Sequence, residues 1–239
     1  MAVAQKLACQ VERIIPHGEH VYTVELRPER PAPRFRPGQF LHLALDAYDP
    51  SGFWPESRIF SIASPPTRRE RLRITYSVQG QFTARMEREL AEGQWIWAKL
   101  PYGDFIVEDT CDAVLFAGGT GITAFTAFLE GLTHEFQHAV YLAYGARERA
   151  LLIYRDMLEQ RTQMTTLLHI LYFIESGAGE LAPHEAAGRV SVGAMWPRIP
   201  NPLEATYYIS GPPQMLKTIT QDLHGQGIRA DAIRIDAWE

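Results

Sequence analysis

The segment from Ala113 to Ala124 runs from an apolar stretch through Gly118-Gly119-Thr120-Gly121 into a helical pattern, and this arrangement can hold a pyrophosphate. Glycines lack a Cβ and let backbone approach phosphate oxygens, while a helix N-terminus offers free N–H groups and a partial positive charge. Gly119, Gly121 and Ala124 match the Gly-x-Gly-x-x-Gly/Ala spacing of dinucleotide turns, although any tight strand-to-helix turn also favours glycine. That fingerprint calls for an acid about twenty residues on, to meet a ribose. Here the second apolar run ends in Tyr144-Gly145-Ala146-Arg147, so the ribose must be read differently.

Metal chemistry has little to work with. Cys9 and Cys111 are the only cysteines, too few for a four-thiolate iron–sulfur cluster, so any cluster belongs to a partner. His134 and His138 stand one helical turn apart without the Glu of a metal-binding pattern, and they read as a solvated helix end. No metal is expected. A net charge of −5, with both signs mixed along the chain, gives no basic face for nucleic acid or an anionic membrane. The stretch Met1 to Leu7 has no long apolar run behind its charge, and nowhere do about eighteen apolar residues follow one another. A cytoplasmic location is expected.

The elements that must position these residues fall into two textures. Up to about residue 108, short alternating runs broken by Pro and Gly read as antiparallel strands: Cys9 to Ile15, Val21 to Arg27, Phe40 to Leu45, Leu72 to Val78 and Gln94 to Lys99. One amphipathic stretch, Phe82 to Leu90, reads as a helix, and the whole suggests a small barrel or sandwich. After Asp109 the pattern is apolar strand, turn and helix, repeated as in a doubly wound parallel sheet. Strands are expected at Ala113 to Ala117, Val140 to Tyr144, Leu167 to Phe173 and Thr206 to Ile209, and helices at Ile122 to Leu132, Leu151 to Arg161 and Gln214 to His224. Ser176 to Pro202 reads mostly as loop. The boundary is set at Asp109-Thr110, giving domains 1–109 and 110–239.

Five blocks in order resemble the ferredoxin-NADP reductase superfamily, particularly the FAD/NAD modules of oxygenase reductases. They are Pro37-Gly38-Gln39-Phe40, Arg58-Ile59-Phe60-Ser61-Ile62-Ala63-Ser64, Gly118 to Phe125, Tyr144 to Arg147, and Ile209-Ser210-Gly211-Pro212-Pro213-Gln214-Met215. Each is common alone; their order and spacing are not. The resemblance implies a six-stranded antiparallel β-barrel for FAD, followed by an α/β doubly wound parallel sheet for NAD(P).

It also implies roles. Arg58 would fork onto the FAD pyrophosphate, the alternative being an exposed arginine paired with Glu56. Phe60 replaces the family's tyrosine, keeping an aromatic face for the flavin or simply filling the core, and Ser61 would place a hydroxyl near flavin N5. Gly80, Phe82 and Thr83 lie at the helix start that meets the pyrophosphate, where an N-cap role for Thr83 is a complete structural alternative. Gly119, Thr120 and Gly121, with Gly211 and Pro212, would face the nicotinamide dinucleotide. Arg147 would meet the adenosine ribose or phosphates, or pair with Glu148 or Asp156. Ser210 stands where the family has cysteine beside nicotinamide C4. Asp236 would assist proton movement, or end a strand as a solvated acid, and Trp238 would shield the flavin or adenine face.

The reaction so implied is hydride transfer from NADH or NADPH to bound FAD, then electrons one at a time to a ferredoxin or an oxygenase component. Glu175, after the third strand of the sheet, would repel a 2′-phosphate, which favours NADH. Reduction of free flavin or quinone, and a flavin-binding regulatory or assembly subunit without turnover, are the alternatives.

Overall fold

The computed structural model describes residues 3–133 and 136–236. The chain passes from one compact unit to a second at Ile106–Val107.

The first unit is a six-stranded antiparallel sheet that is nearly closed. Its strands are β1 (Gln5–Gly18), β2 (Val21–Pro28), β3 (Phe40–Ala44), β4 (Ser57–Ser61), β5 (Leu72–Ser77) and β6 (Trp95–Tyr102), in the order β4-β3-β6-β1-β2-β5. The two-residue period decides which side chains go inward. Leu7, Cys9 and Val11 of β1, Leu41 and Leu43 of β3, and Ile96, Ala98 and Leu100 of β6 are all fully buried. Each large aliphatic in that set contributes about 1.5–3 kcal/mol of burial free energy. The open side of the sheet is drawn together beyond β4, where the Ala63 N–H donates to the Arg73 carbonyl at 2.8 Å and the Arg73 guanidinium donates to the Ala63 carbonyl at 2.8 Å. Helix α1 (Gln81–Glu89) packs Phe82 and Met86 into this core.

Gly38 shows what the Pro37 to Phe40 block is for. Its φ is +92°, and a Cβ there would lie 1.9 Å from the Phe105 carbonyl oxygen. The glycine is demanded by the chain's own close approach.

The second unit is a six-stranded parallel sheet made of β7 (Ala113–Gly118), β8 (Val140–Ala146), β9 (Leu168–Ile174), β10 (Glu185–Ala187), β11 (Thr206–Ser210) and β12 (Ile233–Asp236). The order is β10-β9-β8-β7-β11-β12, every pairing parallel. β7 and β8 are buried at every residue, as expected where helices cover both faces. The helices are α2 (Thr123–Gly131), α3 (Arg155–Met164), the short α4 (Val192–Met195) and α5 (Pro213–Gly225). From β7 the chain winds outward through β8 and β9, then crosses back to β11 and β12. The winding therefore reverses between β7 and β11, and in sheets of this kind ligands bind beyond the strand carboxyl ends at that reversal.

Three expectations change. The glycines do not run straight into a helix, because a 3-10 turn occupies Gly119–Ile122 and α2 begins only at Thr123. The stretch from Ser176 to Pro202 contains β10 and α4, which lack a readable apolar period: β10 is three residues, Glu-Ala-Ala, and α4 is one turn. Helix α2 stops at Gly131, so His138 is not on a helix end; His134 lies outside the described residues.

Candidate functional site

In the first unit β4 and α1 bring the expected flavin residues together. Arg58 is exposed on β4, with its guanidinium 5.3 Å from the centre of the Phe82 ring at the first turn of α1. It also donates to the Ser57 carbonyl at 2.9 Å and pairs with Glu56 at 3.0 Å, both carboxylate and guanidinium being more than half exposed. An exposed pair of this kind is worth little, so it yields readily to a stronger anion. Phe60 and Ser61 are buried; Phe60 sits in the core with its ring 6.2 Å from that of Tyr76, and Ile59 is half-buried on the opposite face.

Gly80, not Thr83, is the N-cap of α1. Thr83 occupies the third helical position and reaches back: its hydroxyl accepts from the Gln79 and Gly80 N–H groups at 2.9 and 3.1 Å and donates to the Gly80 carbonyl at 3.1 Å. The N-cap reading of Thr83 is thereby corrected to half of a capping box. The first N–H bonded back into the helix is that of Ala84, at 2.9 Å to Gly80. The three preceding N–H groups form the anion-attracting end, and a Cβ on Gly80 would meet nothing within 4 Å. Beside this open backbone stands an arginine with a replaceable partner. The donor set fits a dinucleotide pyrophosphate.

In the second unit the expected nicotinamide residues converge at the reversal between β7 and β11. A Cβ on Gly121 would lie 2.4 Å from the Ser210 carbonyl oxygen and 2.7 Å from the Gly211 nitrogen; one on Gly118 would lie 2.5 Å from the Met215 sulfur. These glycines are required by the chain itself. Gly119 differs: its φ is +54° and nothing lies within 4 Å of a Cβ there, so its conformation, with open space beside it, is what needs glycine. The Thr120 carbonyl is taken by the Thr123 hydroxyl at 2.8 Å. Pro212, exposed, caps α5.

Ser210 and Asp236 face one another across β11 and β12. The Ser210 hydroxyl donates to the Asp236 carboxylate at 2.9 Å, and both side chains are buried. The alternative of a solvated strand-end acid does not hold, because Asp236 is 7% exposed. Trp238 lies outside the described residues.

At the carboxyl ends of β8 and β9, Arg147 is exposed, and its carbonyl accepts from the Ser176 N–H at 2.8 Å and the Ser176 hydroxyl at 3.1 Å. Glu175 pairs with Arg189 at 3.3 Å, a partner that the sequence reading missed because it lies beyond β10. Also missed is Glu185. Arg149 donates to both of its oxygens at 3.1 and 2.7 Å, Arg155 adds a bond at 2.7 Å, and the Ala182 N–H adds one at 3.1 Å. The Arg149 bonds, above all, hold this carboxyl at about 2 against the opposing effect of burial. Arg149 also donates to the carbonyls of Ala178 and Glu180, and so fixes the loop that leaves β9. The Arg147-Glu148-Arg149 spacing was the one visible signal.

Residues 115–221 match the family model of the oxidoreductase NAD-binding domain. The chain is 25% identical to the reductase component of propane 2-monooxygenase from Mycolicibacterium smegmatis, over 98% of this chain and 68% of that one. It is 28% identical to an NAD(P)H-flavin reductase of Aliivibrio fischeri, over 72% of this chain and 73% of that protein. Among solved structures, a cytochrome P450 reductase of Amycolatopsis superposes with a TM-score of 0.84 at 19% identity, covering 99% of this chain and 70% of that one.

Proposed function

We propose that the chain, which resembles the ferredoxin-NADP reductase superfamily, oxidises NADH, and NADPH less well, on a bound FAD and delivers the electrons to a one-electron carrier such as a ferredoxin or an oxygenase component. The observation that carries this reading is the convergence of Gly118 to Gly121, Ser210 to Pro212 and Asp236 on the winding reversal of a parallel sheet.

When bound, FAD supplies acceptance of hydride from the reduced nicotinamide and release of electrons one at a time. The chain's own residues supply the rest. Arg58 trades its weak pairing with Glu56 for the pyrophosphate, and the first N–H groups of α1 take the remaining phosphate oxygens. Thr83 shapes that turn rather than binding the ligand, since its hydroxyl is already engaged three ways. Ser61 would offer its buried hydroxyl to the flavin, and Phe60 supports β4 from within the core. Gly119 and Thr120 leave room for the nicotinamide ribose. The Ser210 hydroxyl holds the Asp236 carboxylate in one orientation, ready to accept or release a proton at the strand end. Arg147, with the Glu175–Arg189 pair, receives the adenosine end.

Purified protein mixed with FAD and freed of excess should show a flavin absorbance band that bleaches on anaerobic addition of NADH. Absence of the band even after FAD addition would overturn the reading. A second reading, reduction of free flavin, draws on two features: Phe60 has no hydroxyl to hold the flavin and lies in the core, and Arg58 is exposed. Loss of flavin on gel filtration, with NADH oxidation restored in proportion to added flavin, would select it.

A further inference from the structure

The loop that leaves β9 is tied at both ends. The Ser176 N–H and hydroxyl donate to the Arg147 carbonyl at 2.8 and 3.1 Å, and the Ala182 N–H donates to the Glu185 carboxylate at 3.1 Å. Between these ties, among the described residues, the backbone of 177–181 is hydrogen-bonded through Arg149 alone. The Arg149 Nη2 donates to the Ala178 carbonyl at 2.9 Å and to the Glu180 carbonyl at 3.0 Å.

The same guanidinium has a firm base. Its Nε and Nη2 fork onto the two oxygens of Glu185 at 3.1 and 2.7 Å, and the Glu185 side chain is 2% exposed. Arg155 holds that carboxylate from its other side at 2.7 Å, but makes no bond to 177–181. One planar side chain thus knits three segments together: the turn after β8, the loop after β9 and the start of β10. A lysine in its place would keep the charge and lose the fork.

What Arg149 fixes is the direction of the loop's donors. Gly177 and Gly179 have φ of +62° and +57°, and Ala178 and Glu180, which alternate with them, are not left-handed. Such alternation turns successive N–H groups to one side, where they form a concavity for acceptor atoms. The N–H groups of 177–181 donate to no described residue, and all five residues except Ala178 are exposed. Two carbonyls are therefore taken and the donors are offered. Without the guanidinium, a stretch with two glycines would sample many shapes, and a ligand would have to order it on binding. This donor edge is tied through Ser176 to Arg147, the residue assigned above to the adenosine end. Ribose oxygens and adenine ring nitrogens are acceptors of the required kind.

We propose that Arg149 is a positioning residue for the dinucleotide: by gripping Ala178 and Glu180 it presets the donor edge of 177–181 for the adenosine half, without touching the ligand itself. The inference rests on the reductase reading above. The test uses the full chain loaded with FAD. ADP-ribose, which has the adenosine half and no nicotinamide, is titrated by calorimetry. Oxidation of NADH by ferricyanide is compared with that of reduced nicotinamide mononucleotide, which has no adenosine. Arg149→Lys should weaken ADP-ribose binding and raise the KM for NADH, each by about tenfold, because the loop is no longer preorganised. The kcat should stay within about twofold, and the mononucleotide should be oxidised as by wild type. Arg155→Lys loosens the same carboxylate from the other side, and should lower the melting temperature yet leave ADP-ribose affinity unchanged. Gly179→Ala strains the loop without touching the ion cluster, since its Cβ would meet nothing within 4 Å, and should weaken ADP-ribose binding by about threefold.

ADP-ribose binding to Arg149→Lys as tightly as to wild type would overturn the proposal. So would an equal loss of affinity in Arg155→Lys, an equal rise in KM for the mononucleotide, or wild type binding no ADP-ribose. If Arg149→Lys does not fold, Gly179→Ala decides: full ADP-ribose affinity there also overturns the proposal. Wild type that binds ADP-ribose but oxidises no NADH would instead sink the reductase reading, and the calorimetry would still decide the role of Arg149.

Discussion

The barrel and the sheet offer their ligands two different kinds of site. In the sheet, glycines 118, 121 and 211 are pressed against neighbouring backbone, proline and methionine, and the buried Ser210–Asp236 hydrogen bond fixes the strand ends, so the site is preformed by packing. In the barrel, Gly80 faces open space and Arg58 is exposed and held by a weak pair and a ring. The first kind of site fails by failing to fold. The second fails by losing its ligand while the fold survives.

Substitutions at single glycines break this contrast most sharply. Gly121→Ala should destabilise the protein by about 3 kcal/mol, because the colliding atoms are backbone and cannot swing away. Gly80→Ala should cost under about 1 kcal/mol. Equal melting temperatures for the two variants would erase the distinction. Arg58→Ala comes next: FAD affinity should fall about tenfold or more, by loss of a charge-assisted contact, with melting of the flavin-free protein unchanged within error. A matching loss of thermal stability would make Arg58 structural.

The sheet's outer ion cluster gives a pH test. The Glu185 carboxyl sits at about 2 in the folded chain against an ordinary 4.5, so its stabilisation is complete above about pH 4.5 and is lost as the pH falls toward 2. Glu185→Gln should therefore lower the melting temperature at neutral pH and close the gap with wild type in acid. A gap that is constant from pH 7 to 3 would contradict it. The smallest effect is expected at the exposed Glu175–Arg189 pair. Arg189→Ala should unmask the carboxylate and lower kcat/KM for NADPH relative to NADH by about threefold. An unchanged ratio would remove this pair from cofactor choice.

These same residues mark where the sequence was readable. Alternation exposed five of the barrel strands, and continuous apolar runs exposed β7, β8, β9 and β11, because burial on one or both faces imposes a period. β10 and β12 carry no such signal: one is three residues held by an ion cluster, the other an edge strand with Arg234 and Ile235 exposed. The glycine turns were visible, but the reason for Gly121 was not, since its crowding comes from residues about ninety positions away in Ser210 and Gly211. Arg189 and Glu185 were illegible for the same cause. Their partners are set by the tertiary fold, not by local spacing. The grip of Arg149 on the carbonyls of Ala178 and Glu180 likewise reaches across 29 and 31 positions.

Strand β1 has a consequence for how the protein is made. Its first half, Gln5 to Gln10, pairs with β6 from Leu100 back to Trp95, while its second half pairs with the neighbouring β2. Gln5 to Gln10 are synthesised some ninety residues before their β6 partners and therefore wait for Leu100 before the barrel can be completed, a delay of about 5–20 s at ordinary synthesis rates. During that interval the hairpin of β1 and β2 stands with one apolar flank bare. Translation speed through the region before Trp95, and chaperone supply, should govern the yield of folded protein more than any change in the finished barrel.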